Sequence, residues 1–186
     1  YTCVERLIQL GCMVNVSDDW GMTPLMQAVN SGNVDTVQVL LNNGARMEMT
    51  DLRGFNALMH AARGGHDKIL EVLLDHGSSV NIPGQKTSPL HQASTFGHVR
   101  CVELLLKAGA MAFMRDIHGQ LPIELATQTD QVGVVEYLVK YRDHRGHIHR
   151  DDKNLALVSA AKSNAILSLA VLLENGANPE TWVHGV

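Results

Sequence analysis

Four stretches of this chain copy one another at nearly constant spacing: "GMTPLMQAVNSGN" from Gly21, "GFNALMHAARGGH" from Gly54, "KTSPLHQASTFGH" from Lys86 and "GQLPIELATQTDQ" from Gly119, with starts 33, 32 and 33 residues apart. A second block follows each: "VQVLLNNGA" at Val37, "LEVLLDHGS" at Leu70, "VELLLKAGA" at Val102 and "VEYLVKYRD" at Val135. The phase is tight, since 19 residues separate Leu25 from Gly44, Leu58 from Gly77 and Leu90 from Gly109. Two worn copies extend it to the ends, "VERLIQLGCMVN" at Val4 and a last one from Leu155, where Leu157 to Gly176 is again 19. A period of this length means small supersecondary units, each unable to bury its apolar face alone and stacked on its neighbours to make one continuous core.

Each copy reads as helix, turn, helix, loop. Thr23, Asn56 and Ser88 are N-cap residue types, and Pro24 and Pro89 stand at the first helical position, where a missing N–H costs nothing. Gly32, Gly65 and Gly97 fall where the first helix stops, and Gly44, Gly77, Gly109 and Gly176 where the second does. Between them Val37, Val39, Leu40 and Leu41 form a broad apolar helical face.

The segments "TPLMQA" at Thr23, "NALMHA" at Asn56, "SPLHQA" at Ser88 and "LPIELA" at Leu121, with "GHVRCVELLLKAGA" at Gly97, resemble the ankyrin repeat family. Tetratricopeptide units have a similar length, but their Trp/Gly/Tyr pattern is absent. The resemblance implies an all-α fold: an ankyrin repeat solenoid of stacked antiparallel helix pairs with projecting β-hairpin fingers. It forms a single domain over 1–186, in units of about 1–17, 18–50, 51–82, 83–115, 116–149 and 150–186. It also implies that His91 braces the preceding loop, and that a partner is bound on the concave face by finger tips and the exposed edge of the first helices. Family members are sometimes hydroxylated on the Asn matching Asn15 or Asn81, but Met13 and Ser79 stand where an acidic residue is often found two positions earlier, so no such modification is expected.

Counting from each landmark, the face so implied comprises Asp19, Trp20, Met22, Asn30 and Ser31; Leu52, Arg53, Phe55 and Arg63; Gln85, Thr87, Thr95 and Phe96; Ile117, His118, Gln120 and Gln128; and, in the last unit, Asp151, Asp152, Asn154 and Lys162. The chain is only 4% aromatic, yet Trp20, Phe55 and Phe96 all fall at positions expected to face solvent. With Met22, Leu52 and the flanking Arg53, Arg63 and Lys86 they suit a partner segment with an apolar anchor and some acidic character. The partner-binding set is therefore Trp20, Met22, Asn30, Leu52, Arg53, Phe55, Arg63, Thr95, Phe96, His118 and Gln120.

The pattern wears out toward the C-terminus. Leu121 replaces the capping Thr, Asp130 the glycine after the first helix, and Arg142 the loop glycine, so the backbone is expected to change course after Tyr141. Arg142 to Leu157 is 15 residues where Gly109 to Ile123 is 14, a one-residue insertion, and Asn164 stands in for a glycine. The stretch "HRGHIHRDDKN" from His144 then reads as an enlarged, exposed finger. The final helix has little polar surface and the first unit lacks its first helix, so further units or covering segments are expected at one or both ends, and the start at Tyr1 suits a piece of a longer protein.

Catalytic readings fail on spacing. "HRDDKN" has the H-R-D of a kinase catalytic loop, but the residue five beyond Asp151 is Ala156 rather than Asn, and no G-x-G-x-x-G or D-F-G is present. No Ser–His–Asp or Cys–His context favours a nucleophile, so no enzyme activity and no cofactor is expected. His144, His147 and His149 could converge on zinc or copper, but without a nearby cysteine the favoured reading is a solvated loop. A formal net charge of −4 offers no field for nucleic acid, no apolar run is long enough for membrane insertion, and three cysteines without CxxC point to an intracellular, reducing compartment, cytoplasm or nucleus. What remains is a protein-interaction module for a peptide or folded partner, or else an intramolecular or oligomeric scaffold whose occupant is a flanking segment of the parent chain.

Overall fold

The computed structural model describes residues 2–82, 87–141 and 150–180. They contain α1 (Thr2–Gln9), α2 (Pro24–Asn30), α3 (Val34–Asn42), α4 (Ala57–Gly64), α5 (Asp67–Asp75), α6 (Pro89–Thr95), α7 (Val99–Lys107), α8 (Pro122–Gln128), α9 (Val132–Lys140), α10 (Arg150–Lys162) and α11 (Ile166–Glu174). Helices α2, α4, α6, α8 and α10 pack side by side in one layer; α1, α3, α5, α7, α9 and α11 pack in a second. Each first helix also packs on the second helix of its own pair, and α1 is a second helix alone.

The starts are capped as the residue types suggest. Thr23 Oγ1 accepts the Met26 amide at 3.3 Å, Asn56 Oδ1 the Met59 amide at 3.0 Å and Ser88 Oγ the His91 amide at 3.3 Å. Leu121 has no oxygen to offer, and Glu124 compensates by accepting the Leu121 amide at 2.8 Å. The ends repeat one motif: the amides of Asn33, His66, His98, Gln131 and Ala165 reach back five residues to the carbonyls of Ala28, Ala61, Ala93, Ala126 and Ala160. This requires a left-handed residue just before the donor. Asp130 (φ 51°) and Asn164 (φ 55°) fill it where glycine is missing, using the two side chains that tolerate that region best. At Gly65 the demand is stricter, because φ is 69° and an added Cβ would lie 2.5 Å from His98 Nδ1.

The alanines set the spacing of the first layer. Ala61, Ala62, Ala93, Ala126 and Ala160 are fully buried, and their small side chains let neighbouring helices approach while Leu58, Leu73, Leu90, Leu105 and Leu172 fill the space behind them. The apolar core is continuous from Leu25 to Ala177.

Three details differ from expectation. The fingers project, but among the described residues none contains a strand. Each of three fingers is a tight turn closed on itself, with Asp18, Asp51 and Asp116 amides bonded to the carbonyls of Met22, Phe55 and Gln120 at 3.1, 2.9 and 2.9 Å. Among the described residues one backbone bond joins two fingers, Leu52 N–H to Trp20 O at 3.0 Å, too little for a ladder. Second, α9 departs one residue early, for Tyr141 is itself extended (ψ 132°) where Asn43, His76 and Ala108 continue near-helical. Third, the stretch read as a finger from His144 is helical from Arg150, in an α10 of 13 residues against 7 or 8 for the other first helices. Asp151, Asp152 and Asn154 therefore belong to α10, and Asn154 is half-buried, its Oδ1 accepting the Asn178 amide at 2.9 Å. His144, His147, His149, Arg142, Gln85 and Lys86 lie outside the described residues.

Candidate partner-binding face

The finger tips are built from one short motif, Asp-x-x-Gly. In each, the first carboxylate oxygen accepts two backbone amides: Trp20 and Met22 on Asp18, Arg53 and Phe55 on Asp51, His118 and Gln120 on Asp116, all at 2.8–3.0 Å. The two side chains between Asp and Gly stand outward, among them Trp20 at 71%, Leu52 at 78% and Ile117 at 61% exposed.

The residue four positions after the N-cap reaches back to the finger. Gln27 Nε2 bonds Asp18 Oδ2 at 3.4 Å, Gln92 Nε2 bonds Thr87 Oγ1 at 3.3 Å, and in the second full unit His60 Nε2 donates to Asp51 Oδ2 at 3.2 Å. Asp51 is thereby the hub of a cluster. Its Oδ2 also takes Arg53 Nε and Nη2 at 3.1 and 3.0 Å, and its carboxylate and the His60 ring are almost wholly buried. Above it Arg53 lies 5.0 Å from the Phe55 ring centre, and Arg63 spans both rings, 6.0 Å from Phe55 and 4.9 Å from Phe96, while His60 meets Phe55 edge-on. Together Asn30, Arg53, His60, Arg63, Gly64, His66 and Phe96 line an open cleft of about 300 Å³ over α4.

Burial pushes the Asp51 carboxyl up, but the Phe55 amide and the guanidinium and amide of Arg53 outweigh it and hold it below the ordinary 3.8. Burial lowers His60 below 6.5, with Arg53 and Arg63 assisting and the Asp51 carboxylate opposing. Burial likewise lowers His91, against the Gln120 carbonyl and Asp116. Both imidazoles are neutral in the fold at neutral pH, so it is the unfolded chain that binds their protons as pH falls. Stability from these two groups is complete above about pH 6.5 and declines below it, by up to about 1.4 kcal/mol per pH unit for each. Denaturant midpoints measured from pH 7.5 to 5 should fall, and His60→Gln, the residue used at the matching Gln27 and Gln92, should flatten the slope; equal slopes in the two proteins would contradict this account.

Of the partner-binding set, the cleft gathers Asn30, Arg53, Arg63 and Phe96, with Phe55 beneath them half-buried rather than open. Trp20 and Leu52 stand exposed on neighbouring tips, outside the cleft. Met22 is half-buried, and Thr95 spends its hydroxyl on the His91 carbonyl at 2.8 Å. His118 and Gln120 belong to the Asp116 finger, outside the cleft. His91 braces the end of the preceding loop, its Nδ1 accepting the Ser88 amide at 3.3 Å, and also the finger that follows, its Nε2 donating to Gln120 O at 3.2 Å in the next unit. Sequence reasoning missed Asp51 and His60; the signals were the Asp-x-x-Gly recurring at Asp18, Asp51 and Asp116 and the polar residue recurring at Gln27, His60 and Gln92.

Among the described residues no group of His, Cys, Asp or Glu could hold a metal ion, and no helix is long and apolar enough to cross a membrane. Two family models match, one described as ankyrin repeats in three copies over residues 1–84, the other as ankyrin repeats in many copies over 73–126. Ankyrin repeat protein nuc-2 of Neurospora crassa is 31% identical over 181 residues, 95% of this chain and 17% of that protein. Tyrosine-protein kinase Shark of Drosophila melanogaster is 28% identical over 168 residues, 88% of this chain and 14% of the kinase. Among solved structures the human ASB11 ankyrin repeat domain superposes with a TM-score of 0.82 at 26% identity, covering 94% of this chain and 78% of that one. The chain spans 8% to 17% of the length of the curated relatives it matches. Repeats of this kind are generally protein–protein interaction modules. Since the two family models together take in residues 1–126 and describe the repeat that the stacked helix pairs build, the chain belongs to the ankyrin repeat family.

Proposed function

We propose that this chain is a non-enzymatic interaction array that binds a peptide, or an extended segment of a folded partner, along the face formed by the fingers and first helices of its second to fourth units. One observation carries the reading: large apolar side chains, Trp20, Leu52 and Phe96, stand exposed on the same side as two arginines, on elements that the helix stack holds rigid. Rigid anchors lose little entropy on binding, and Trp and Arg are the residue types that most often dominate interfaces. The free cysteines suit a reducing compartment, the cytoplasm or nucleus.

Dodecapeptides selected on the protein from a random phage-displayed library supply the test. Against the resynthesised peptides, Trp20→Ala and Phe55→Ala are each expected to weaken binding by about 2 kcal/mol, roughly thirtyfold, with thermal stability of Trp20→Ala unchanged. Undiminished affinity in both variants would remove the placement.

A second reading, packing within a parent chain or a homo-oligomer, is favoured by α11, where Ile166, Leu167 and Leu173 are 67%, 62% and 40% exposed. Light scattering distinguishes the two: an array that self-associates through α11 becomes monomeric in Leu167→Glu, whereas a peptide-binding array is monomeric already.

A further inference from the structure

Resting on the peptide-binding reading, we propose that the cleft over α4 is a receptor for one carboxylate side chain of an acidic peptide, gripped by Arg63 and the free edge of Arg53, with the residue beside it packed on Phe96. The other arginines with described ion pairs are already neutralised: Arg100 pairs with Glu71 and Glu103, and Arg115 with Glu124. Arg63 has no carboxylate partner among the described residues, although its guanidinium is fixed over two rings. Stacking on ring faces leaves the N–H donors at the guanidinium edge free for a bidentate acceptor.

Charge selects the ligand. Asp51 cancels one of the two arginines, and His60, held neutral by burial, adds nothing, so the cleft keeps a single positive charge on a chain whose formal net charge is −4. One carboxylate balances that charge. A phosphoryl group, at about −1.5 to −2, would leave an excess negative charge beside buried Asp51. Arg53 gives Nε and Nη2 to Asp51, which leaves Nη1 for a ligand, and both arginines line the cleft, so the two can share one acceptor. The volume of about 300 Å³ admits an Asp or Glu side chain and one apolar neighbour.

Peptides from the same library should be enriched in Asp or Glu next to a large apolar residue. Changing that acid to Asn or Gln is expected to weaken binding to the wild type about tenfold, and to Arg63→Gln less than twofold, with Arg63→Lys recovering only part of the dependence. Phosphoserine at that position should not improve on Asp. Peptides that need Trp20 but are indifferent to the acid and to Arg63 would overturn the carboxylate receptor while leaving the peptide-binding face intact. A phosphoserine preference would overturn the carboxylate assignment alone. Peptides indifferent to both Trp20 and Arg63, or no peptide recovered, would overturn both.

Discussion

Replacing Asp51 with alanine is expected to destabilise the array by about 3 kcal/mol, read as a lower denaturant midpoint. The carboxylate is 3% exposed and accepts from the amides of Arg53 and Phe55, from Arg53 Nε and Nη2, and from His60 Nε2. Alanine leaves the His60 N–H buried without an acceptor and frees the finger that holds Arg53 and Phe55. The same motif elsewhere supplies the control. Asp18 accepts the equivalent two amides, but it is exposed and water can replace it, so Asp18→Ala should cost no more than about 1 kcal/mol. Asp116, half-buried, should fall between. Equal losses at all three positions would show that local turn geometry, rather than burial of the Asp51 cluster, sets the effect.

The helix pairs were legible because the signals that define them are local. Thr23, Asn56 and Ser88 cap their own helices, and Asp130 and Asn164 take the left-handed position that their place in the count assigns to a glycine. What could not be read depends on contacts between units. His91 sits beside Ser88 in sequence, and nothing within its own unit reveals that its far nitrogen reaches Gln120 in the next. His60 likewise looks like an ordinary helical residue until the finger folds Asp51 back above it. Phe55 was placed at an open position by counting, yet Arg53 and Arg63 cover its face, a consequence of side-chain reach that a register position does not encode. The helix at Arg150 was missed for a further reason: the repeat count puts Leu155 and Ala156 where other copies have Thr-Pro, so the residues before them were taken for the finger.

The second large effect follows from the linear architecture. Leu105 and Leu172 occupy matching places in α7 and α11, each fully buried, each followed four residues later by the loop glycine, Gly109 or Gly176. Truncating either to alanine removes the same atoms, at a local cost of about 3 to 4 kcal/mol. The consequences differ because α7 packs between α5 and α9, whereas among the described helices of its layer α11 packs only on α9. In a stack where each unit is stabilised by its neighbours, a central loss propagates to both sides and is felt by the whole cooperative transition. A terminal loss is discharged by unfolding the last pair alone. Leu105→Ala should therefore shift the main denaturation midpoint by the full amount. Leu172→Ala should leave that midpoint nearly unchanged, while amide exchange quickens selectively across α10 and α11. An equal shift of the main transition in both variants would mean that the last pair folds as one cooperative block with the rest, and that the nearest-neighbour account fails at this end of the array.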